Sequence, residues 1–264
     1  MLPSGTAREE HIRIGRYLKD IVFAANDGIV TTFAVVAATV GGALDPATIL
    51  VVGIANLFAD GFSMASGNYL GTRSERDFYG KEEMREREEV MEKPAEEQAE
   101  VRQILSAKGY HGAKLEEMTR LIASNEDYWI RFMMHEELDL HISKEESPLK
   151  NGLITFLSFV VAGSIPLLPY VLFGSGASFL SAAASAGAAL FTVGALRAYF
   201  SRQSWALLGL EMLAVGGSAA GIAYVIGFAL RSLEAASLLR FQSLCRSTTK
   251  RGQSEKRCAR SMPL

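Results

Sequence analysis

Cysteine and histidine are scarce in this chain: two cysteines, Cys245 and Cys258, and four histidines in 264 residues. Neither cysteine belongs to a CxxC, and no HxxxH or HExxH occurs. A disulfide framework, a thiolate metal site, a redox motif and a histidine-based zinc centre therefore lack their ligands. No GxxxxGK[ST] loop is present to cradle phosphates, so the chain brings no ATP-driven machinery of its own. The basic C-terminal segment from Arg231 to Leu264 contains a single aromatic residue, Phe241. A nucleic acid is therefore not the expected partner. Over long stretches the chain also lacks charge. The formal net charge of −2 conceals a division. Residues 71–150 hold 13 Lys/Arg and 20 of the 29 Asp/Glu, while residues 231–264 hold 8 Lys/Arg against 2 Asp/Glu. A soluble enzyme of this size spreads its charges more evenly.

Between the charged blocks stand five apolar runs, about Ile21–Gly42, Thr48–Leu70, Leu153–Phe173, Ala177–Leu196 and Trp205–Leu230. Each reaches the roughly 20 residues that a helix needs to cross a bilayer. The expected architecture is an all-α membrane protein: a cytoplasmic segment over 1–20, two spans over 21–70, a cytoplasmic helical domain over 71–150, three spans over 151–230 and a basic tail over 231–264. Arg8, Arg13, Arg16 and Lys19 precede a full-length span without a small-residue cleavage pattern, so a signal peptide is not expected. Loop charges alternate, with no Lys or Arg in the first and third connections and both Arg197 and Arg202 in the fourth. The positive-inside rule then places the N-terminus, the insert and the fourth loop in the cytoplasm. The basic tail runs against that rule, and no role is assigned to it.

Acids within the spans are the first functional signal. Asp27, in Phe-Ala-Ala-Asn-Asp-Gly-Ile-Val-Thr-Thr, lies about two turns into the first span. An ionised Asp there costs about 2.5–3.5 kcal/mol on insertion scales and faces a cavity or an ion path when it persists. The bland alternative is a helix cap at the interface. In the second span Asn56, Asp60 and Met64 are spaced i, i+4, i+8, stacking an amide, a carboxylate and a thioether on one face. That mixture suits a borderline transition ion better than Mg²⁺ or Ca²⁺, although a lone Met is commonly filler. Ala55, Ala59, Ser63, Gly67 and Gly71 form a small-residue stripe. It fits either a dimer seam or packing within one subunit. Pro166 and Pro169 should interrupt the third span, and Glu211 should reach the cytoplasmic interface.

The insert reads as helices: Ser74–Glu92, a break at Lys93-Pro94, Ala95–Lys108, a turn bracketed by Gly109 and Gly112, Leu115–Ser124 and Glu126–His141. Glu86 and Glu89 are i, i+3, as are Glu97 and Glu100; Met133 and Glu137 are i, i+4, with Met134 adjacent. Each pair puts two ligands on one face, though a solvated charged face has the same spacing. Glu82, Glu83, Glu88 and Glu92 read as surface, and so does His135.

With these residues placed, the chain resembles the vacuolar iron transporter family over about residues 15–230. The motifs that carry the resemblance are Phe-Ala-Ala-Asn-Asp-Gly-Ile-Val-Thr, Ala-Asp-Gly-Phe-Ser-Met-Ala-Ser-Gly-Asn-Tyr-Leu, Arg-Glu-Arg-Glu-Glu, Phe-Met-Met-His-Glu-Glu-Leu and Ile-Pro-Leu-Leu-Pro-Tyr. The resemblance implies a homodimer with five spans per chain and a cytoplasmic metal-binding domain. The implied activity moves Fe²⁺, and often Mn²⁺, out of the cytoplasm against protons, with no tightly bound cofactor. It also places the pathway at Asp27 and Met64, and cytoplasmic ligands at Glu86, Glu89, Glu97, Glu100, Met133, Met134 and Glu137. This chain departs from the family pattern with Asn56 where a glutamate is usual and with an extra acid, Asp60, one turn on. Two rivals remain at this level: a membrane-anchored ferroxidase, which lacks the ExxH pairs of a di-iron bundle, and an iron buffer whose spans only anchor it. The expected setting is a bacterial plasma membrane, with a vacuolar membrane as the alternative.

Overall fold

The computed structural model describes residues 5–140, 147–198 and 203–249, with side chains described over 17–140, 147–174, 176–198 and 203–233. Every regular element among them is helical. They are α1 (Gly5–Gly41), α2 (Pro46–Glu92), α3 (Pro94–Ala107), α4 (Ala113–Ala123), α5 (Glu126–Glu136), α6 (Pro148–Gly163), α7 (Leu168–Phe173), α8 (Phe179–Arg197) and α9 (Trp205–Thr249). The chain divides into two units, one formed by residues 1–65 with 153–264 and one by residues 66–152.

The first unit contains most of five segments long and apolar enough to span a membrane: Tyr17–Gly41, the apolar part of α2, Pro148–Phe173, Phe179–Arg197 and Trp205–Leu233. Its outward surface carries Val51, Phe62, Val161, Leu172 and Leu180, each about two-thirds exposed or more. An apolar surface of that extent would aggregate in water, whereas lipid accepts it. Two interior clusters hold the helices together. Ile29, Phe33, Ala37, Ala186, Leu190 and Met212 form one, and Val36, Ile49, Leu57, Phe159, Leu167 and Tyr170 are the main members of the other. Because lipid is as apolar as Leu, close backbone packing has to supply much of the association. Gly28 and Gly163 show how tight it is. A Cβ on Gly28 would stand 2.5 Å from the Phe159 carbonyl oxygen, and one on Gly163 would stand 2.8 Å from that of Gly28. Gly28→Ala should therefore push α1 from α6 and cost about 1–3 kcal/mol, read as a lower thermal midpoint of the detergent-solubilised protein. The proline break appears where the sequence places it: α6 stops at Gly163, a 3-10 turn covers Ile165–Leu167 and α7 follows.

Two helices run past the apolar spans. α1 starts at Gly5 and α9 runs on to Thr249. No proline interrupts 5–20 or 231–249, so nothing in the backbone chemistry stops either helix at the charged boundary. Cys245 and Cys258 fall outside the residues whose side chains are described.

The second unit packs the distal part of α2 with α3, α4 and α5 around Val90, Val101, Leu105, Ile122, Trp129, Ile130, Met133 and Met134. Pro94 occupies the first turn of α3 and needs no N–H there. Gly109 and Gly112, at φ +93° and +62°, supply the left-handed turn between α3 and α4. The Asn125 side chain caps α5 by accepting from the Tyr128 N–H at 3.1 Å. That helix ends at Glu136, short of the expected His141, because Asp139 turns left-handed at φ +52° and the Leu138 and Leu140 N–H groups fold back onto the Met133 and Met134 carbonyls. Arg87 ties α2 to Glu126 and Asp127 at 2.7 and 3.2 Å, Arg102 ties α3 to Glu116 at 2.8 Å, and Lys108 pairs with Glu136.

Candidate functional site

The helical repeat explains how carboxylates from three helices meet in the second unit. Glu86 precedes Val90 by one turn on α2, Glu97 precedes Val101 by one turn on α3, and Glu137 follows Met133 by one turn at the end of α5. Val90, Val101, Met133 and Met134 belong to one apolar cluster, so the helix faces that build this core carry the acids with them. Glu86 and Glu97 are 1% and 5% exposed, and each has one buried carboxylate oxygen, Oε1 and Oε2 respectively, without a hydrogen-bond partner. A buried acid left in this way has lost its water and gained little in return.

Their acidity records the strain. Burial pushes the Glu86 carboxyl from its ordinary 4.5 to about 8, with further push from the charges of Glu97, Glu137 and Glu89. Burial likewise raises Glu97, helped by Glu100, while a hydrogen bond from Glu86 works against the rise. Glu137 is more exposed, and partial desolvation with Glu100 and Glu89 raises it against the pull of Arg85. At neutral pH the protein thus holds a proton between Glu86 and Glu97 inside a group of mutually repelling acids. Among the described residues, no three carboxylates, imidazoles or thiolates already surround one point as a finished metal site. The acids share an electrostatic neighbourhood, and a cation would draw them together.

Met133 and Met134 are fully buried within the core, with Glu137 one turn beyond Met133. Glu89 and Glu100 are half-buried. One surface assignment needs correction: Glu82 is buried, its carboxylate taken up by the Arg85 guanidinium at 2.8 Å. Glu83 is half-buried, whereas Glu88 and Glu92 are exposed as expected. His135 is exposed beside Glu136 at 3.5 Å.

In the first unit Asp27 of α1 and Asp60 of α2 are each half-buried and close enough for their charges to interact. Asn56, Asp60 and Met64 are all half-buried, as residues sharing one face of a helix should be, and Met64 leans on the cluster of Leu57 and Phe159. Asn26 Oδ1 and Thr32 Oγ1 are buried nearby on α1 without partners. Glu211 is exposed and lies 3.7 Å from Arg197. The sequence reading did not single out a polar chain within the second unit. There the Asn151 amide donates to Thr72 Oγ1 and the Thr72 hydroxyl donates to Asn68 Oδ1, both at 3.4 Å, with Asn151 Oδ1 buried and unpartnered. Asn151 and Thr72 are 79 positions apart, and no periodicity in one chain joins residues that distant.

Comparison with known proteins finds relatives over most of the chain. A family model described as the VIT family matches residues 18–228. A vacuolar iron transporter of Toxoplasma gondii is 35% identical over 246 residues, covering 89% of this chain and 82% of that protein. A vacuolar iron transporter of Plasmodium falciparum is 34% identical over 225 residues, covering 81% and 82%. Vacuolar iron transporter 1 of Arabidopsis thaliana is 34% identical over 164 residues, covering 62% and 66%. These relatives are named as vacuolar proteins and lend no support to the expectation of a bacterial plasma membrane.

Proposed function

Since the chain belongs to the VIT family, whose relatives are transporters rather than enzymes, we propose that it exports a divalent transition metal from the cytoplasm in exchange for protons. Fe²⁺ is the principal substrate in this reading and Mn²⁺ a second. One observation carries it: two carboxylates, Glu86 and Glu97, are buried with unpartnered oxygens in a domain that could have filled those positions with apolar side chains. Buried charges survive where an ion or a proton comes and goes.

The steps follow from the residues. The second unit, with its excess of acids over bases, raises the local concentration of divalent cations. A metal ion binds carboxylate and not carboxylic acid, so its arrival at Glu86 and Glu97 releases the proton they hold. Glu89, Glu100 and Glu137 complete the charge around it. In the spans, Asp27 and Asp60 repel each other when both are ionised, and a divalent cation placed between them removes the repulsion while replacing lost water. Met64 offers a thioether and Asn56 a neutral oxygen on the same face, which suits an ion softer than Mg²⁺. Protons arriving from the far side compete for the same lone pairs and release the metal.

The small-residue stripe favours a second copy of the chain. Ala55, Ala59, Ser63, Gly67 and Gly71 are all exposed, and a Cβ on Gly67 or Gly71 would meet nothing within 4 Å. The exposure of the stripe supports a close helix crossing between two subunits over packing within one. In proteoliposomes, an inside-acid gradient should drive Fe²⁺ uptake by chains whose second unit faces outward, and collapsing the gradient with an ionophore should stop it. Uptake indifferent to the gradient would remove the proton from the scheme.

A further inference from the structure

A groove of about 480 Å³ opens on the first unit between α1, α8 and α9. Leu18, Val22, Phe23 and Met212 wall it, and Lys19 with Arg197 supplies its positive charge. Asn26 lies farthest along, seven positions and about 10 Å beyond Lys19 on the α1 axis. Lys19 lies at the start of the apolar span Tyr17–Gly41 within α1 and Arg197 at the C-terminus of α8, the side that the loop charges assign to the cytoplasm. The groove therefore has a cationic mouth at the level of the headgroups and an apolar course running inward from it.

We propose that this groove binds an anionic phospholipid of the cytoplasmic leaflet, with its phosphate between Lys19 and Arg197 and an acyl chain along Val22, Phe23 and Met212. Charge complementarity selects the occupant. A zwitterionic lipid offers the two cations a phosphate already matched by its own ammonium group, whereas phosphatidylglycerol offers an unmatched negative charge. A peptide or a soluble anion could satisfy one part of the groove only, the first leaving the cations facing a neutral backbone and the second leaving the apolar walls bare. Glu211, 3.7 Å from Arg197 and largely exposed, competes with the phosphate for the guanidinium. Its carboxylate sets how strongly the mouth attracts lipid.

The test uses the full chain in detergent micelles doped with phosphatidylglycerol or phosphatidylcholine of identical acyl chains, with retained lipid counted by native mass spectrometry. The intact protein should retain phosphatidylglycerol in preference. Lys19→Gln and Arg197→Gln should each lower that preference by roughly fivefold, as expected for one basic group near a membrane surface. Glu211→Gln should raise it, which guards against reading a damaged fold as lost binding. Soluble glycerol phosphate at matched concentration should not compete. Equal retention of both lipids, an unchanged preference in the Lys19→Gln/Arg197→Gln double variant, or full competition by glycerol phosphate would each overturn the proposal.

Discussion

Replacing Asp27 with Asn abolishes gradient-driven Fe²⁺ uptake, lowering the initial rate by at least roughly 100-fold. That corresponds to about 2.7 kcal/mol of lost transition-state stabilisation. The side chain keeps its size and an oxygen, so the helix and the Gly28 approach to Phe159 remain undisturbed. The lost property is the negative charge facing Asp60. Without it a dehydrated divalent cation meets one carboxylate instead of two, and the proton that should displace it has one site fewer to occupy. Asp60→Asn should show a defect of the same kind, since Asp60 stands one turn from Asn56, the position at which the family resemblance implies a glutamate. The double change Asn56→Glu with Asp60→Asn then becomes informative. Recovery of transport would mean that the charge, moved by one turn, is what the pathway needs. The measurement is stopped-flow uptake under an imposed pH gradient, with metal binding to the same variant as control. A transport-dead Asp27→Asn that still binds metal separates the pathway from the cytoplasmic acids. Uptake at the native rate would make Asp27 an ordinary interfacial residue.

The helices were legible because their signals are local. Pro94, Gly109, Gly112 and the Pro166/Pro169 pair announce breaks within a few residues of where the chain makes them. The lengths of the apolar runs bounded the spans for the same reason. The acids of α2, α3 and α5 could be picked out since one turn of helix links each to a core residue, Val90, Val101 or Met133. Sequence spacing failed where the deciding partner lay elsewhere. Glu82 looked like surface because its relation to Arg85 is that of any solvated ion pair, and only the packing of α2 shows it buried. The burial of Met133 and Met134 was hidden in the same way, because the helices that cover them come from up to fifty positions upstream. Lys19 and Arg197 attracted notice only as topology markers, and their meeting across one groove depends on how α1, α8 and α9 pack.

Glu86→Gln should make the metal-free protein more stable and at the same time less able to bind metal. In the folded chain Glu86 titrates near 8 rather than 4.5, so between those values the folded state holds more proton than the unfolded one. Stability of the metal-free form therefore falls as pH rises through this window. The penalty is absent below about 4.5, where both states are protonated, and complete above about 8. Glutamine carries no charge to desolvate, and at pH 8 it should recover about 1–3 kcal/mol, the usual cost of a buried group left without its partner. Metal affinity moves the opposite way. It requires the carboxylate, so in the native protein it climbs with pH across the same window and levels off above about 8, each bound ion expelling a proton near neutrality. The variant should bind Mn²⁺ or Fe²⁺ at least roughly 100-fold more weakly, beyond the 10–100-fold loss typical of an outer-shell partner, and its pH slope should flatten. Thermal unfolding and calorimetric titration of the full-length protein, both between about pH 6 and 8.5, read the two effects separately. A gain in stability without loss of affinity would mean that Glu86 is a strained core acid and that the metal is held by Glu89, Glu100 and Glu137 at the rim. Loss of both would mean that its carboxyl holds α2 against α3 through Glu97. Only the opposed pair of changes fits a residue kept buried and uncomfortable so that a cation can displace its proton.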